Sequence, residues 1–507
     1  MRRAAAFRRR CSSCASLHTG LLVALAIGLT LTSAAASAHP QCTSWPRDYR
    51  EALGPPATPA SAATRRVPHT HVLLDRSGSM VGYVNETPPP GAQTPAAGKW
   101  VGPNPYANLL KALPGLLRDV TDQADLRYFG KKVHDPEPLE HIVSATQKMF
   151  YTCARNAGSC DNQESHIRDA LERAYAAPPE DLSLVITDLF LDEHDAGPEG
   201  AAAIRVPLEK ILGDGRVVGI LGMLVPFNGY VTDLPVDATA SPKGFPFSGR
   251  HPVYLLIIGQ NADVRHFRAV LQEEYLQEIN ENGYESHFLI FGDAALGAPR
   301  SLTPEVAVVP GRRAKAPGNA FFHVAEMDAL PVTGRPELRR LNKDLKLTLP
   351  HLDAEVTKSL PPDSVVSAGS LSVTTQIWPL PTNASCWGDA PGQQGTAVRE
   401  HFEASAAVGR VVEALSPGLQ AALPVNRAYL VLTTVDTQLT VDEAASAWLR
   451  RWSFNALTVD AQLHRPDGNF GTLNLDAILR PLKDLVSAKL GPPRRVAHSE
   501  AIVYLEN

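Results

Sequence analysis

Between residues 67 and 297, short apolar runs alternate with longer segments in which apolar residues recur every three or four positions. The short runs predict strands at residues 71–74, 126–129, 182–187, 217–225, 253–258 and 286–291. The longer segments predict helices at residues 106–120, 165–176, 199–212 and 263–280. Strands that alternate with helices of this length are typical of βαβ units. We therefore expect an α/β domain with a doubly wound, mostly parallel sheet that helices cover on both faces.

From about residue 298 this alternation breaks down, and residues 298–507 have a different pattern. Runs rich in Val and Thr predict strands at residues 370–380, 429–439 and 497–505, whereas helical spacing recurs at residues 398–415, 441–452 and 474–490. We expect this region to form a separate α+β or β-sandwich domain. Its pattern does not identify a function.

Two segments rich in Pro and Gly, residues 81–105 and 227–251, interrupt the first domain. Both are long for loops of a compact domain, so they are either functional loops or tolerated surface insertions. The second lies between two strong strands and fits the tip of a long hairpin.

The first 38 residues have the pattern of a secretory signal peptide. Arginines cluster before residue 11, an apolar stretch covers residues 21–31, and Ala36-Ser37-Ala38 is a small-residue cleavage site. An uncleaved anchor remains the alternative, although the apolar stretch is shorter than the about 20 residues that span a membrane. We expect cleavage after Ala38, an extended segment over residues 39–66, and export to the periplasm or the extracellular space.

Composition and charge narrow the possible partners. The chain is 44% apolar and 20% charged, which is typical of globular proteins. Loss of five leader arginines moves the formal charge from −5 to −10, which argues against nucleic acid and leaves the membrane as a partner only if the leader is uncleaved.

Four cysteines remain after cleavage, in an oxidising compartment that permits disulfides. Three pairings are possible. The local pair Cys153–Cys160 is favoured, which leaves Cys42 with Cys386.

The strongest chemical motif follows the first apolar run, where Asp75, Ser77 and Ser79 occupy alternate positions. A strand that ends in a tight loop brings this carboxylate and these hydroxyls to one point. Hard oxygen donors of this kind suit Mg²⁺, Mn²⁺ or Ca²⁺.

The motif resembles the metal-ion-dependent adhesion site of von Willebrand factor A-type (VWA) domains. The resemblance implies a hydroxyl from a second loop and an aspartate from a third, and Ser165 and Asp188 occupy those positions. Asp75, Ser77 and Ser79 would then bind the ion directly, Ser165 directly or through water, and Asp188 mostly through water. One coordination position would stay open for a carboxylate of a protein partner.

Two positions depart from the family pattern. Leu189 follows Asp188 where the family commonly has Gly, and Glu164 precedes Ser165 where the family has another Gly. Ser165 also has an ordinary alternative role, as the N-cap of the following helix.

The resemblance implies a protein that binds an acidic side chain of a protein partner through a divalent cation, and not an enzyme, and the leader adds the expectation that it is exported. One alternative is a structural module whose metal site is inert, and another is a hydrolase in which Asp75 and Asp188 hold a cation that activates water. No nucleophile-elbow, zinc-protease or phosphate-loop motif is present in the sequence. His69 and His71 alternate on the first strand, but no third ligand lies near them in sequence, so we interpret them as ordinary polar positions.

Overall fold

The computed structural model describes the main part of the chain from Arg66 onward. The described residues are 66–88, 104–152, 164–190, 202–231, 234, 244–277, 281–292, 300–302, 305–308, 319–323, 339–341, 345–349, 360, 363–379, 402–407, 410–415, 427–463, 465 and 468–506. The predicted signal peptide, the segment 39–65 and the cysteines of both favoured disulfides lie outside them. Within the described part, no helix is long and apolar enough to cross a membrane.

A seven-stranded sheet organises the first half of the chain. Its strands are β1 (Val67–Asp75), β2 (Thr121–Phe129), β3 (Glu137–Pro138), β4 (Leu182–Thr187), β5 (Val217–Val231), β6 (Phe245–Gly259) and β7 (Glu285–Phe291). Their order across the sheet is β3-β2-β1-β4-β6-β5-β7. All six strands predicted for this half are present.

The expectation of a mostly parallel sheet is wrong, because the sheet is mixed. β1 pairs in parallel with β2 and with β4, and the other four pairings between neighbouring strands are antiparallel. The reason lies in residues 227–251, where we expected a hairpin tip. Strand β5 continues to Val231 and β6 begins at Phe245, so two 15-residue strands form a hairpin in place of the helical crossover that a parallel pairing requires. Pro226, Pro246 and Pro252 lie within these strands and interrupt the alternation of apolar and polar residues that predicts a strand.

Helices cover both faces of the sheet. They are α1 (Pro105–Val120), α2 (Lys148–Tyr151), α3 (Ile167–Ala176), α4 (Ala202–Gly213) and α5 (Asn261–Leu271), with 3₁₀ helices at Gly78–Tyr83 and Leu139–Thr146 and a π turn at Gln272–Leu276. α1 and α5 pack with Val72 and Leu74 on one face, whereas α3 and α4 pack with Leu73 on the other. The start of α1 follows from its sequence, since Asn104 accepts a hydrogen bond from the Tyr106 amide (2.9 Å) and Pro105 occupies the first turn.

The second half contributes two larger sheets and a pair of short strands. Its strands are β8 (Arg300–Leu302), β9 (Glu305–Val308), β10 (Asn319–His323), β11 (Arg339–Leu341), β12 (Leu345–Leu349), β13 (Val366–Pro379), β14 (Phe402–Ala407), β15 (Arg410–Leu415), β16 (Arg427–Val441), β17 (Ser453–Phe454), β18 (Thr472–Leu473) and β19 (Arg494–Glu506). Five strands run in the order β11-β10-β19-β16-β13, with β8 beside β19, and β14-β15-β12-β9 form a separate sheet. The helix predicted at residues 398–415 is wrong, because β14 and β15 pair with each other and β15 also pairs with β12.

The helices of the second half are α6 (Ala447–Trp452), α7 (Val459–Leu463) and α8 (Leu475–Lys489). α6 and α8 pack into the same core as α3 and α4, on the face of the first sheet. Gly222 in β5 makes this possible, since a Cβ there would lie 2.5 Å from the Trp448 ring and 2.7 Å from the Trp452 ring. The domain boundary at residue 297/298 stays a prediction, and the two sides of it share this core.

Leu479 tests how much this shared core contributes to stability. It is 1% exposed in α8 within the core of the first sheet. We expect Leu479→Ala to lower the free energy of unfolding by about 2–5 kcal/mol, because the substitution removes buried contacts and leaves a cavity. Urea unfolding followed by tryptophan fluorescence measures this change. The matched control is Arg480→Ala, since the Arg480 side chain is 75% exposed and its loss should cost within about 0.5 kcal/mol. Equal effects of the two substitutions would contradict a shared core.

Candidate metal centre

Asp75 ends strand β1 and lies fully buried at the carboxyl end of the sheet. The Ser77 amide donates to its Oδ1 (2.8 Å), while the hydroxyls of Ser165 (2.7 Å) and Thr187 (2.8 Å) donate to its Oδ2. These donors come from the three segments that follow β1, precede α3 and end β4. The structure thus brings the three predicted loops together around one carboxylate.

The loop after Asp75 contributes the two serine hydroxyls. Their Oγ atoms lie 3.0 Å apart and form a hydrogen bond. Ser77 is buried, whereas Ser79 is partly exposed. An ion approaching from solvent would therefore reach the site by way of Ser79.

Ser165 lies just before helix α3, which begins two residues later than predicted. The N-cap residue is His166, so Ser165 does not have the ordinary role of an N-cap. Its hydroxyl is used for Asp75 instead. Glu164 is held by Lys131 (3.3 Å) and by His166 (2.9 Å).

Asp188 follows β4, whose parallel register with β1 places Ile186 opposite Leu74 and so brings Asp188 near Asp75. The Phe190 amide donates to its Oδ1 (3.1 Å), whereas its Oδ2 is buried and has no hydrogen-bond partner among the described residues. Leu189 has φ = 51°, in the left-handed region that glycine adopts easily. The backbone thus takes the conformation of a glycine at the position where the family commonly has one.

The negative charge of one buried carboxylate makes ionisation of the other less favourable. Burial raises the pKa of Asp188 to about 7, the charge of Asp75 adds to this effect, and the Ser79 hydroxyl and the Phe190 amide oppose it. Burial also raises the pKa of Asp75, although the hydrogen bonds from Ser165, Ser77 and Thr187 work against it. Near neutral pH the pair needs either a proton or a cation.

The sequence analysis missed several residues that contact this centre and hold it in place. Thr187 is the last residue of the predicted strand 182–187, and its hydroxyl next to Asp188 was the available signal. Thr472 donates to the Asp188 carbonyl (3.4 Å) and is hydrogen-bonded to the Tyr254 hydroxyl (3.1 Å). The neighbouring His251 is buried, which lowers its pKa to about 4. Nothing local in the sequence predicts that a residue as distant as Thr472 contacts the loop of Asp188.

A second polar cluster lies at the other end of β1. His69 Nε2 and His71 Nδ1 lie 2.9 and 3.0 Å from the same Asp125 oxygen, Oδ2, and His71 Nε2 lies 3.3 Å from Asp181 Oδ2. The potential ligand atoms of His69, His71 and Asp125 lie within 4.8 Å of one another, which is close enough to surround one ion. The sequence analysis found no third ligand for the histidines because Asp125 is 54 residues from His71 and reaches it only through the parallel pairing of β1 with β2.

Comparisons of the chain with protein-family models, curated proteins and solved structures found no match. The resemblance to VWA domains therefore rests on the residues of the three loops, and the function has to be argued from their geometry.

The raised pKa of Asp188 predicts how stability depends on pH when divalent ions are removed by a chelator. In the unfolded state the Asp188 carboxyl loses its proton near the ordinary pKa of about 4, whereas in the folded state it keeps this proton to a higher pH. Between about pH 4 and the folded pKa of about 7, the folded state binds more protons, so the free energy of unfolding falls as the pH rises. We expect the ionisation of Asp188 to lower the free energy of unfolding by at most about 4 kcal/mol over this pH range.

Urea unfolding over this pH range, with Asp188→Asn beside the unaltered chain, measures the contribution. The variant should lack this part of the pH slope because its amide does not ionise. Asp169→Asn is the control, since the Asp169 side chain is 47% exposed on α3. Identical slopes in Asp188→Asn and the unaltered chain would show that Asp188 ionises normally.

Proposed function

We propose that this chain is an exported VWA-type protein that binds a divalent cation, Mg²⁺ or in its place Mn²⁺ or Ca²⁺, and through it an acidic side chain of a protein partner. The single observation that carries the proposal is the pair of buried carboxylates, Asp75 and Asp188. One of their oxygens, Asp188 Oδ2, is buried without a hydrogen-bond partner in the described part of the chain. Such an atom is costly unless a proton or a cation satisfies it.

The donor set fits a hard cation. Asp75, Ser77 and Ser79 would hold the ion, and Asp188 and Ser165 would complete its surroundings, so that every donor is an oxygen. Two carboxylates balance the charge of a divalent ion, and the ion when bound supplies a Lewis-acidic position for a further carboxylate. The hydroxyls of Ser165 and Thr187 both donate to Asp75 and hold its carboxylate in one orientation.

The architecture also supports the proposal. The loops follow strands β1 and β4, which run in parallel, and ligands of open α/β sheets bind beyond the carboxyl ends of such strands. Helices lie on both faces of the sheet, as in a doubly wound VWA-type domain. The β5–β6 hairpin is a departure from that arrangement.

The inert-site alternative also has an observation in its favour. Both oxygens of Asp75 already accept hydrogen bonds from protein groups, and Ser77 and Ser79 bond to each other. An inert site predicts that no divalent ion binds and that chelators have no effect. No observation favours the hydrolase.

Calorimetric titration of Mg²⁺, Mn²⁺ and Ca²⁺ into chelator-treated protein tests the metal site. We expect saturable binding of one ion, no binding by Asp75→Ala, and at least about tenfold weaker binding by Asp188→Asn. Asp169→Asn removes the same charge from the partly exposed side of α3 and should bind like the unaltered chain. Absence of binding for all three ions would overturn the proposal in favour of an inert scaffold.

The open coordination position has a separate test with Mn²⁺ as the ion and acetate as a surrogate for the partner's carboxylate. Mn²⁺ bound to the protein should enhance water-proton relaxation through the water in that position. Acetate should then reduce the enhancement saturably, because it displaces the water, and chloride at the same ionic strength should not. An enhancement that acetate leaves unchanged would mean that the ion offers no position to a partner.

A further inference from the structure

The cluster at the amino end of β1 contains imidazole nitrogens, which distinguish it from the all-oxygen centre at Asp75. We propose that His69, His71 and Asp125 form a second cation site, which binds a late first-row divalent ion of the Zn²⁺ type, with Asp181 positioning His71. Two imidazoles and one carboxylate form a common ligand set for such ions, in which the remaining positions are open to water.

The distances between the donor atoms suit one ion. Asp125 Oδ2 lies 2.9 Å from His69 Nε2 and 3.0 Å from His71 Nδ1. Two ligand atoms on a tetrahedral zinc ion, each at 2.0–2.1 Å from the metal, lie about 3.3 Å apart. The two oxygen–nitrogen distances therefore need to lengthen by only a few tenths of an ångström to admit the ion, and the two nitrogens lie within 4.8 Å of each other. Arg127 faces the other oxygen, Asp125 Oδ1, at 3.5 Å, so Oδ2 stays available to the metal.

The two imidazole rings are stacked, with centroids 4.4 Å apart and an angle of 16° between their planes. Ring nitrogens bind metals in the plane of the ring, so both rings have to rotate about χ2 for His69 and His71 to face one ion. The χ2 torsion of histidine is soft, and these side chains are only partly buried, at 29% and 17% exposure. Metal binding thus requires a local rearrangement of two side chains and none of the backbone.

Asp181 has the position of an outer carboxylate in a carboxylate–histidine–metal arrangement. It lies just before β4, is buried, and approaches His71 Nε2 (3.3 Å). When His71 donates its Nε2 proton to Asp181, the lone pair of Nδ1 points towards Asp125. A carboxylate oxygen and a lone pair then face each other at 3.0 Å, and this contact is favourable only if a proton or a metal ion lies between them.

The two proposed sites are independent in space and in chemistry. The nearest ligand, His71, is four residues from Asp75 on the same strand, which corresponds to about 13 Å. The all-oxygen donors of the Asp75 centre favour hard ions, whereas imidazole nitrogens favour zinc and its neighbours. An excess of Mg²⁺ should therefore leave the histidine site free for Zn²⁺.

Calorimetric titration of Zn²⁺ in excess Mg²⁺ tests the site. The unaltered chain should bind one Zn²⁺ that depends on the cluster, and His69→Ala and Asp125→Asn should bind that ion at least about tenfold more weakly. The control is His141→Ala, since His141 also pairs with a carboxylate, Glu137 (3.1 Å), but is 57% exposed outside the cluster. His69 is the most exposed ligand, so its variant should keep the fold, which circular dichroism checks.

The result that overturns the proposal is an unaltered chain that binds no Zn²⁺, or zinc binding of equal affinity in all three variants. Asp75→Ala should leave zinc binding unchanged and His69→Ala should leave Mg²⁺ binding unchanged, so failure at either site is distinguishable from failure at the other.

¹⁵N NMR of the histidine ring nitrogens separately tests whether Asp181 positions His71. Zn²⁺ should perturb His71 mainly at Nδ1 and His69 at Nε2. Asp181→Asn should weaken zinc binding by about tenfold and reduce the preference of His71 for Nδ1. Metal ligation by His71 through Nε2 in the unaltered chain would overturn the positioning role.

Discussion

The parallel pairing of β1 with β2 on one side and with β4 on the other is the constraint on which both proposed sites depend. It places His71 opposite Asp125 and Leu74 opposite Ile186. Since parallel strands end at the same edge of a sheet, the carboxyl ends bring the loops of Asp75 and Asp188 together. The amino-terminal halves of β1 and β2 and the start of β4 bring two histidines and two other aspartates together. One register therefore fixes two separate polar clusters along the same strands.

The two clusters offset the desolvation of their buried carboxylates in different ways. At the carboxyl end, hydroxyl and amide donors surround Asp75, yet both acids keep a raised pKa because burial outweighs these hydrogen bonds. At the amino end, burial alone would raise the pKa of Asp125, but its hydrogen bond to His71 and the charges of His71, Arg127 and His69 hold it below the usual range. The first arrangement favours a cation as an external partner, whereas the second has compensating groups of its own when no metal ion is bound.

Sequence patterns located the first cluster but not the second. Asp75, Ser77 and Ser79 follow one another at one strand end, whereas Ser165 and Asp188 were predicted from the resemblance to VWA domains, and the structure brings all three segments together. Asp125 and Asp181 lie in no motif, and only the register of the sheet brings them to the histidines. A hairpin between β5 and β6 was expected, but the extension of β5 to Val231 and the start of β6 at Phe245 were missed, since prolines in these segments obscure strand alternation. At residues 410–415, pairing with two neighbouring strands outweighs a helical pattern.

Because α6 and α8 pack in the core of the first sheet, noncovalent contacts hold the two halves of the chain together. The strands described between residues 300 and 441 belong to other sheets, and beyond them Trp448, Trp452 and the apolar side of α8 are buried beside Leu224 and Leu256. Backbone hydrogen bonds of Arg250 with Gly468 (2.9 Å) and Phe470 (2.8 Å) add a second attachment. A single break of the polypeptide between the first sheet and α6 would therefore leave the two pieces associated. The two fragments would remain one particle in native buffer and separate only in denaturant.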